Sequence, residues 1–137
     1  MKIDPKCIGG SSVASCVGVG WESQIALWER LRGDTSRADS WTREQRRMLA
    51  AGHALEPVAT DAVRDDYGVE IVRPPELMEV ADKHEPRLVG HPDGWIVPGE
   101  IGAEIKTTSG RRSSWGDEDT DHVPAGYLAQ CLFYMAL

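Results

Sequence analysis

The stretch His91-Pro92-Asp93-Gly94-Trp95-Ile96-Val97-Pro98-Gly99-Glu100-Ile101-Gly102-Ala103-Glu104-Ile105-Lys106-Thr107-Thr108-Ser109 decides how this chain folds. Asp93 sits in a Pro-Asp-Gly turn, an apolar run of Trp95, Ile96 and Val97 follows, and after the Pro98-Gly99 turn comes Glu104-Ile105-Lys106. The pattern predicts a hairpin that sets a carboxylate from a turn beside a carboxylate from a strand. Side chains alternate along a strand, so Glu104 and Lys106 are expected on one face and Ile105 on the other, towards the core.

Two carboxylates in one small patch repel, and each would have its pKa raised. A divalent cation removes that cost. Oxygen ligands of this kind suit Mg2+, with Mn2+ able to substitute, and such ions complete their shells with water and substrate phosphate oxygens. The patch is therefore expected to serve phosphodiester hydrolysis. Taken alone, Asp-Gly and Glu-x-Lys also describe a plain hairpin with a solvated ion pair, so the remaining groups must come from elsewhere in the chain.

The 137 residues suffice for one domain with a single core, expected over 1–137. Cys7, Cys16 and Cys131 are odd in number and stand in small-residue or helical contexts, which favours buried reduced thiols and a cytoplasmic setting. No long apolar span is present, and the apolar start is broken by Gly and Ser, so neither an export signal nor a membrane segment is read. A net charge of −7 argues against binding nucleic acid by bulk charge. It leaves room for local basic clusters, of which Arg43, Arg46 and Arg47 fit a solvated helix face first and a DNA contact second. Arg111 and Arg112 form another cluster.

In chain order, Gly9-Gly10-Ser11-Ser12 opens a short helix running through Cys16, with Ser11 or Ser12 as the cap and a phosphate as a natural ligand of such an N-terminus. Ser23 to Arg32 reads as a helix stopped by Gly33, with Trp21 and Trp28 as packing residues. Thr42 to Tyr67 reads as two helices, broken at Gly52, with Pro57 in the first turn of the second and Glu56 at its start. Short strands are expected at Val69 to Val72, Leu77 to Ala81 and Arg87 to Gly90, giving a mixed sheet that leans antiparallel. A final helix begins at Pro124, with Tyr127, Leu128, Cys131, Leu132 and Met135 as its apolar face and Tyr127, Gln130 and Tyr134 along one side.

Asp93 followed by Glu104-Ile105-Lys106 resembles the core of the PD-(D/E)XK nucleases. The flanks are similar to the YqaJ-like viral recombinases and the lambda-type exonucleases. The resemblance rests on Ile8-Gly9-Gly10-Ser11, Gly52-His53-Ala54-Leu55-Glu56-Pro57, His91-Pro92-Asp93-Gly94, Glu104-Ile105-Lys106-Thr107-Thr108 and Val123-Pro124-Ala125-Gly126-Tyr127-Leu128-Ala129-Gln130 with Tyr134-Met135, in that order. Each motif is weak, and the ordered set is specific.

The resemblance implies an α/β (α+β) fold with a restriction-endonuclease-like core, a small mixed β-sheet flanked by helices. Asp93, Glu104 and the Ile105 carbonyl would hold one Mg2+, and Asp93 with Glu56 a second, about 3.5 to 4 Å away. Lys106 would orient or deprotonate the attacking water. Gln130 would fix water or a phosphate oxygen, and Ser11, Tyr127, Arg111 and Arg112 would contact DNA. The activity implied is 5′-to-3′ digestion of double-stranded DNA ends, leaving a 3′ strand for a single-strand annealing protein. A homo-oligomer, a trimeric ring by analogy, is implied as well. Against the ring stands the chain's stop at Leu137, before the helical extension usual in the family. An endonuclease on the same site, a non-catalytic DNA-end-binding adaptor and an acidic interaction domain are the competing expectations.

Overall fold

A computed structural model of the chain describes residues 6–34, 41–73, 79–99, 101–108, 114–117 and 120–137. Arg111 and Arg112 lie outside the described residues, as does the beginning of the strand expected at Leu77. Contacts gather into two compact units, one of Met1–Asp39, Leu77–His91 and Arg112–Leu137, the other of Ser40–Glu76 and Pro92–Arg111. The fold is α+β, and the described residues form two small three-stranded sheets where one sheet is expected.

In the first unit, strand β1 (Ile8–Gly9) leads into helix α1 (Gly10–Cys16), and helix α2 (Gln24–Leu31) follows. Ser23 caps α2 by accepting from the Ala26 N–H at 3.2 Å, and Gly33 ends it at φ +88°, as its sequence predicts. Neither serine caps α1. The cap is Gly9, Ser11 lies exposed in the first turn, and Ser12 Oγ accepts from Arg30 at 2.9 Å.

The sheet of this unit combines β1 with strands β2 (Val80–Ala81) and β3 (Leu88–Gly90), β3 lying centrally, parallel to β1 and antiparallel to β2. Val89, at 1% exposure, is its most buried side chain. Helix α4 (Ala125–Ala136) packs on α1, and a Cβ at Gly10 would overlap the Tyr134 ring, so this approach requires glycine.

Helix α4 buries a different face from the apolar one expected. Leu128, Leu132 and Met135 are exposed, whereas Gln130 is buried. The cost of burying polar groups is met by hydrogen bonds: Gln130 Nε2 donates to the Tyr134 hydroxyl at 3.0 Å, which donates to the His91 carbonyl at 3.4 Å. The tryptophans read as packing residues are also exposed. Trp21 is 92% accessible and Trp28 carries the Arg32 guanidinium 4.7 Å above its ring. Cys16 is exposed, and Cys7 and Cys131 are half-buried rather than buried.

The second unit begins with α3, a helix of 25 residues from Arg43 to Tyr67. Thr42 and Gln45 form a reciprocal capping box, and Gly68 at φ +64° closes the helix. The break expected at Gly52 is absent and Pro57 lies inside the helix. Gly52 has a packing reason instead: a Cβ there would stand 3.4 Å from Thr107 Oγ1. Arg43, Arg46 and Arg47 are exposed on this helix, the solvated face expected of them.

Beside α3 lies an antiparallel sheet of strands β4 (Glu70–Val72), β5 (Gly94–Val97) and β6 (Ile101–Ala103), with β5 in the middle. Ile71 pairs with Ile96, and Gly94 with Ala103. Ile71, 6% exposed, supplies this unit's buried apolar side chain, a contribution of about 1.5–3 kcal/mol. The β5–β6 hairpin is the one predicted from Asp93 to Glu104.

Candidate metal and cleavage site

The hairpin builds the site. Beyond the last paired residues, the Asp93 N–H donates to the Ala103 carbonyl at 3.0 Å, so Asp93 and Gly94 both address Ala103. Two residues against one is the count of a β-bulge, which bends the strand and re-aims the neighbouring side chain. The Asp93 side chain then takes over as acceptor where the ladder stops, and its Oδ2 receives the Ile105 N–H at 2.7 Å. That peptide joins Glu104 to Ile105, which sets the Asp93 carboxylate directly against the Glu-x-Lys segment.

Glu104 and Lys106 share a face, as alternation predicts, and their side chains form an ion pair. Strand β6 ends at Ala103, so both stand just past the paired region. The Glu104 side chain is 8% exposed and that of Lys106 26%. Ile105 is half-buried rather than a core residue. A carboxylate this enclosed needs a cation beside it, and the Lys106 ammonium supplies one.

Glu56 reaches this neighbourhood through α3. Gly52 and Glu56 are one turn apart on one helix face, and Gly52 abuts Thr107, the residue after Lys106. Because the helix is continuous, Glu56 lies in its middle and not at a helix start, so no helix N-terminus favours its charge. Its carboxylate is engaged on both sides, Oε2 by Arg73 at 2.6 Å and Oε1 by His53 Nδ1 at 2.8 Å. Sequence reasoning missed Arg73. It stands 17 residues from its partner, a separation that carries no periodic signal.

The donor set of Asp93, Glu104 and the Ile105 carbonyl is all oxygen and suits a hard divalent cation. Among the described residues no three His, Cys, Asp or Glu side chains stand together as a metal cluster. A cation here would accordingly rest on two carboxylates, a peptide carbonyl and water.

Gln130, Tyr127 and Ser11 belong to the first unit. There the Tyr127 ring stacks on Trp115, centroids 5.3 Å apart and planes inclined by 28°. The acidic turn of the same unit is held by hydrogen bonds: Asp82 Oδ1 accepts from the His84 and Glu85 N–H groups at 2.8 and 2.7 Å. These bonds hold its carboxyl below the usual range, the Glu85 N–H contributing most. The Arg87 guanidinium lowers the Glu85 carboxyl to about 2.

No helix among the described residues is long and apolar enough to cross a membrane. No curated protein and no solved structure matches the chain. A family model does, that of the YqaJ-like viral recombinase domain, over residues 2–137. Spanning nearly every residue, the hairpin carboxylates and the Glu-x-Lys pair included, that match shows that the chain belongs to the YqaJ-like viral recombinase domain family.

Proposed function

We propose that the chain is a metal-dependent deoxyribonuclease that degrades double-stranded DNA from its ends, 5′ to 3′, in phage-type recombination. Family membership supports the broader part, a recombination nuclease. The observation that carries metal-dependent hydrolysis is the Asp93 carboxylate bound to the Ile105 N–H, next to the Glu104–Lys106 pair, while the choice of DNA ends and the 5′-to-3′ direction rest on the family pattern alone.

Hydrolysis joins a water oxygen to phosphorus and releases a sugar oxygen, which takes up a proton. A bound Mg2+ would supply charge neutralisation at the phosphate and a more acidic water. Asp93, Glu104 and the Ile105 carbonyl would hold it. Lys106 positions the attacking water or takes its proton, and the acids beside it keep the ammonium in place. Glu56 would serve a second ion after exchange of its Arg73 and His53 contacts. For Gln130, Tyr127 and Ser11, substrate contact is supported by the family pattern alone, as are a ring-shaped oligomer and a single-strand annealing partner.

The test is digestion of linear duplex DNA labelled at its 5′ or 3′ end, beside a closed circular plasmid, in Mg2+, Mn2+ or EDTA. The expected result is metal-dependent loss of the linear DNA alone, with the 5′ label released first. Nicking of the circle would assign an endonuclease instead. No cutting in either metal would leave the adaptor reading.

A further inference from the structure

We propose that Arg64 and Arg73 form a seat for one phosphate group of DNA, beside the carboxylate patch. The proposal deepens the nuclease reading and rests on it for the identity of the ligand. A hollow of about 220 Å³ opens between helix α3 and strand β4, lined by Pro57, Thr60, Asp61, Arg64, Ile71 and Arg73. Its floor is fixed: Thr60 is 3% exposed, with its hydroxyl donating to the Glu56 carbonyl at 2.9 Å, and Ile71 is 6% exposed.

Each arginine is aimed by a single carboxylate, Arg64 by Asp61 at 2.7 Å and Arg73 by Glu56 at 2.6 Å. A guanidinium has five N–H donors in a planar fork, so one carboxylate leaves donors for a second oxyanion. The Arg64 and Arg73 side chains are 47% and 35% exposed, which keeps those donors within reach of a ligand. Asp61 and Glu56 balance the two guanidinium groups, so the hollow offers an oxyanion spare N–H donors and no net positive charge. Phosphate oxygens suit such paired forks better than any neutral ligand.

Position ties the seat to the reaction. A Cβ at Gly94 would stand 3.8 Å from Arg73 Cγ, so the arginine stem runs beside the residue bonded to Asp93. The same arginine holds Glu56, the acid offered for a second ion, at 2.6 Å. Arg73 thereby becomes a positioning residue for the substrate.

The experiment is fluorescence anisotropy of a labelled duplex at several KCl concentrations, with Ca2+ in place of Mg2+. It compares the wild-type chain with Arg64→Gln, Arg73→Gln, Arg73→Lys and the double Gln variant. Each Gln variant is expected to bind about tenfold more weakly, the scale of one charge-assisted hydrogen bond. Its plot of log affinity against log salt should be shallower by about 0.9, one phosphate contact, and the double variant should lose no more slope than either single one. Arg73→Lys should keep the slope and lose part of the affinity, since it keeps the charge without the fork.

Wild-type affinity and slope in Arg64→Gln, with unchanged thermal melting, would overturn the seat, as would a wild-type chain that does not bind the duplex. If Arg73→Gln fails to fold, Arg64→Gln and Arg73→Lys still decide. Repeating the series with 5′-phosphate and 5′-hydroxyl ends tells a terminal from an internal phosphate, and either supports the seat. Wild-type cleavage with unaltered binding by the variants removes the seat alone. Weakened binding by the variants without any wild-type cleavage removes the nuclease reading alone.

Discussion

The Asp93 carboxylate accepts the Ile105 N–H at 2.7 Å and so closes the β5–β6 ladder with a side chain. The same acid is then both a structural acceptor and a ligand candidate, and two substitutions separate the roles. Asp93→Ala leaves the half-buried Ile105 N–H without its acceptor and should cost about 1–3 kcal/mol. Asp93→Asn keeps an oxygen there and should cost only about 1 kcal/mol. Both should abolish metal-dependent cleavage, read against stability from chemical denaturation. An active Asp93→Asn enzyme would remove the acid from the metal site.

Lys106 is the cation beside an enclosed Glu104. Removing one member of a fully buried pair costs about 3–5 kcal/mol, and since Lys106 is 26% exposed the Lys106→Ala cost should be nearer 2 kcal/mol, roughly half of it. Activity should fall by about 100-fold or more, the usual scale for a group that positions or takes a proton. Because a divalent cation can replace the lost ammonium, Mg2+ should raise the melting temperature of Lys106→Ala more than that of the wild type. Equal shifts would show that the ion does not use Glu104.

The hairpin and the Glu104–Lys106 face were legible because alternation in a strand is a local rule, and Ser23 and Gly33 marked their helix ends for the same reason. Helix α3 was misjudged where local punctuation met tertiary packing. Gly52 reads as a breaker until Thr107 is seen 3.4 Å from where its Cβ would be. Counting apolar residues picked the exposed side of α4, since the bonds that let Gln130 go inside join residues 4 and 43 positions apart. In the site, Asp93, Glu104 and Lys106 were legible from spacing. The Arg73 hold on Glu56 was not, because nothing in either residue's surroundings names the other.

Pro57 gives a direct check on that helix. Inside a helix it forfeits the bond to the His53 carbonyl, and Pro is about 3 kcal/mol less favourable than Ala there. Part of this returns through the stiffer unfolded chain, about 0.4–1 kcal/mol. Pro57→Ala should therefore stabilise the chain by about 2 kcal/mol, with cleavage maintained. At the first turn of a separate helix the same change would be neutral or unfavourable, so a lowered melting temperature would favour the interrupted reading.

The acid limb of stability has a named source in the turn from Asp82 to Arg87. The Asp82 carboxyl is lowered, chiefly by the Glu85 N–H, and the Glu85 carboxyl is lowered from 4.5 to about 2, chiefly by the Arg87 side chain. A carboxyl depressed on folding adds stability that is complete above its unfolded value, and this stability disappears as the pH falls through the folded one. For Glu85 the window runs from 4.5 down to about 2. The same pair raises the Arg87 guanidinium, which stays charged throughout. Titration of the side-chain carboxyl carbons by NMR should find Glu85 near 2 in the wild type and back towards 4.5 in Arg87→Gln. An ordinary Glu85 titration in the wild type would mean that solvent keeps the two side chains apart, and the acid limb would then need another source.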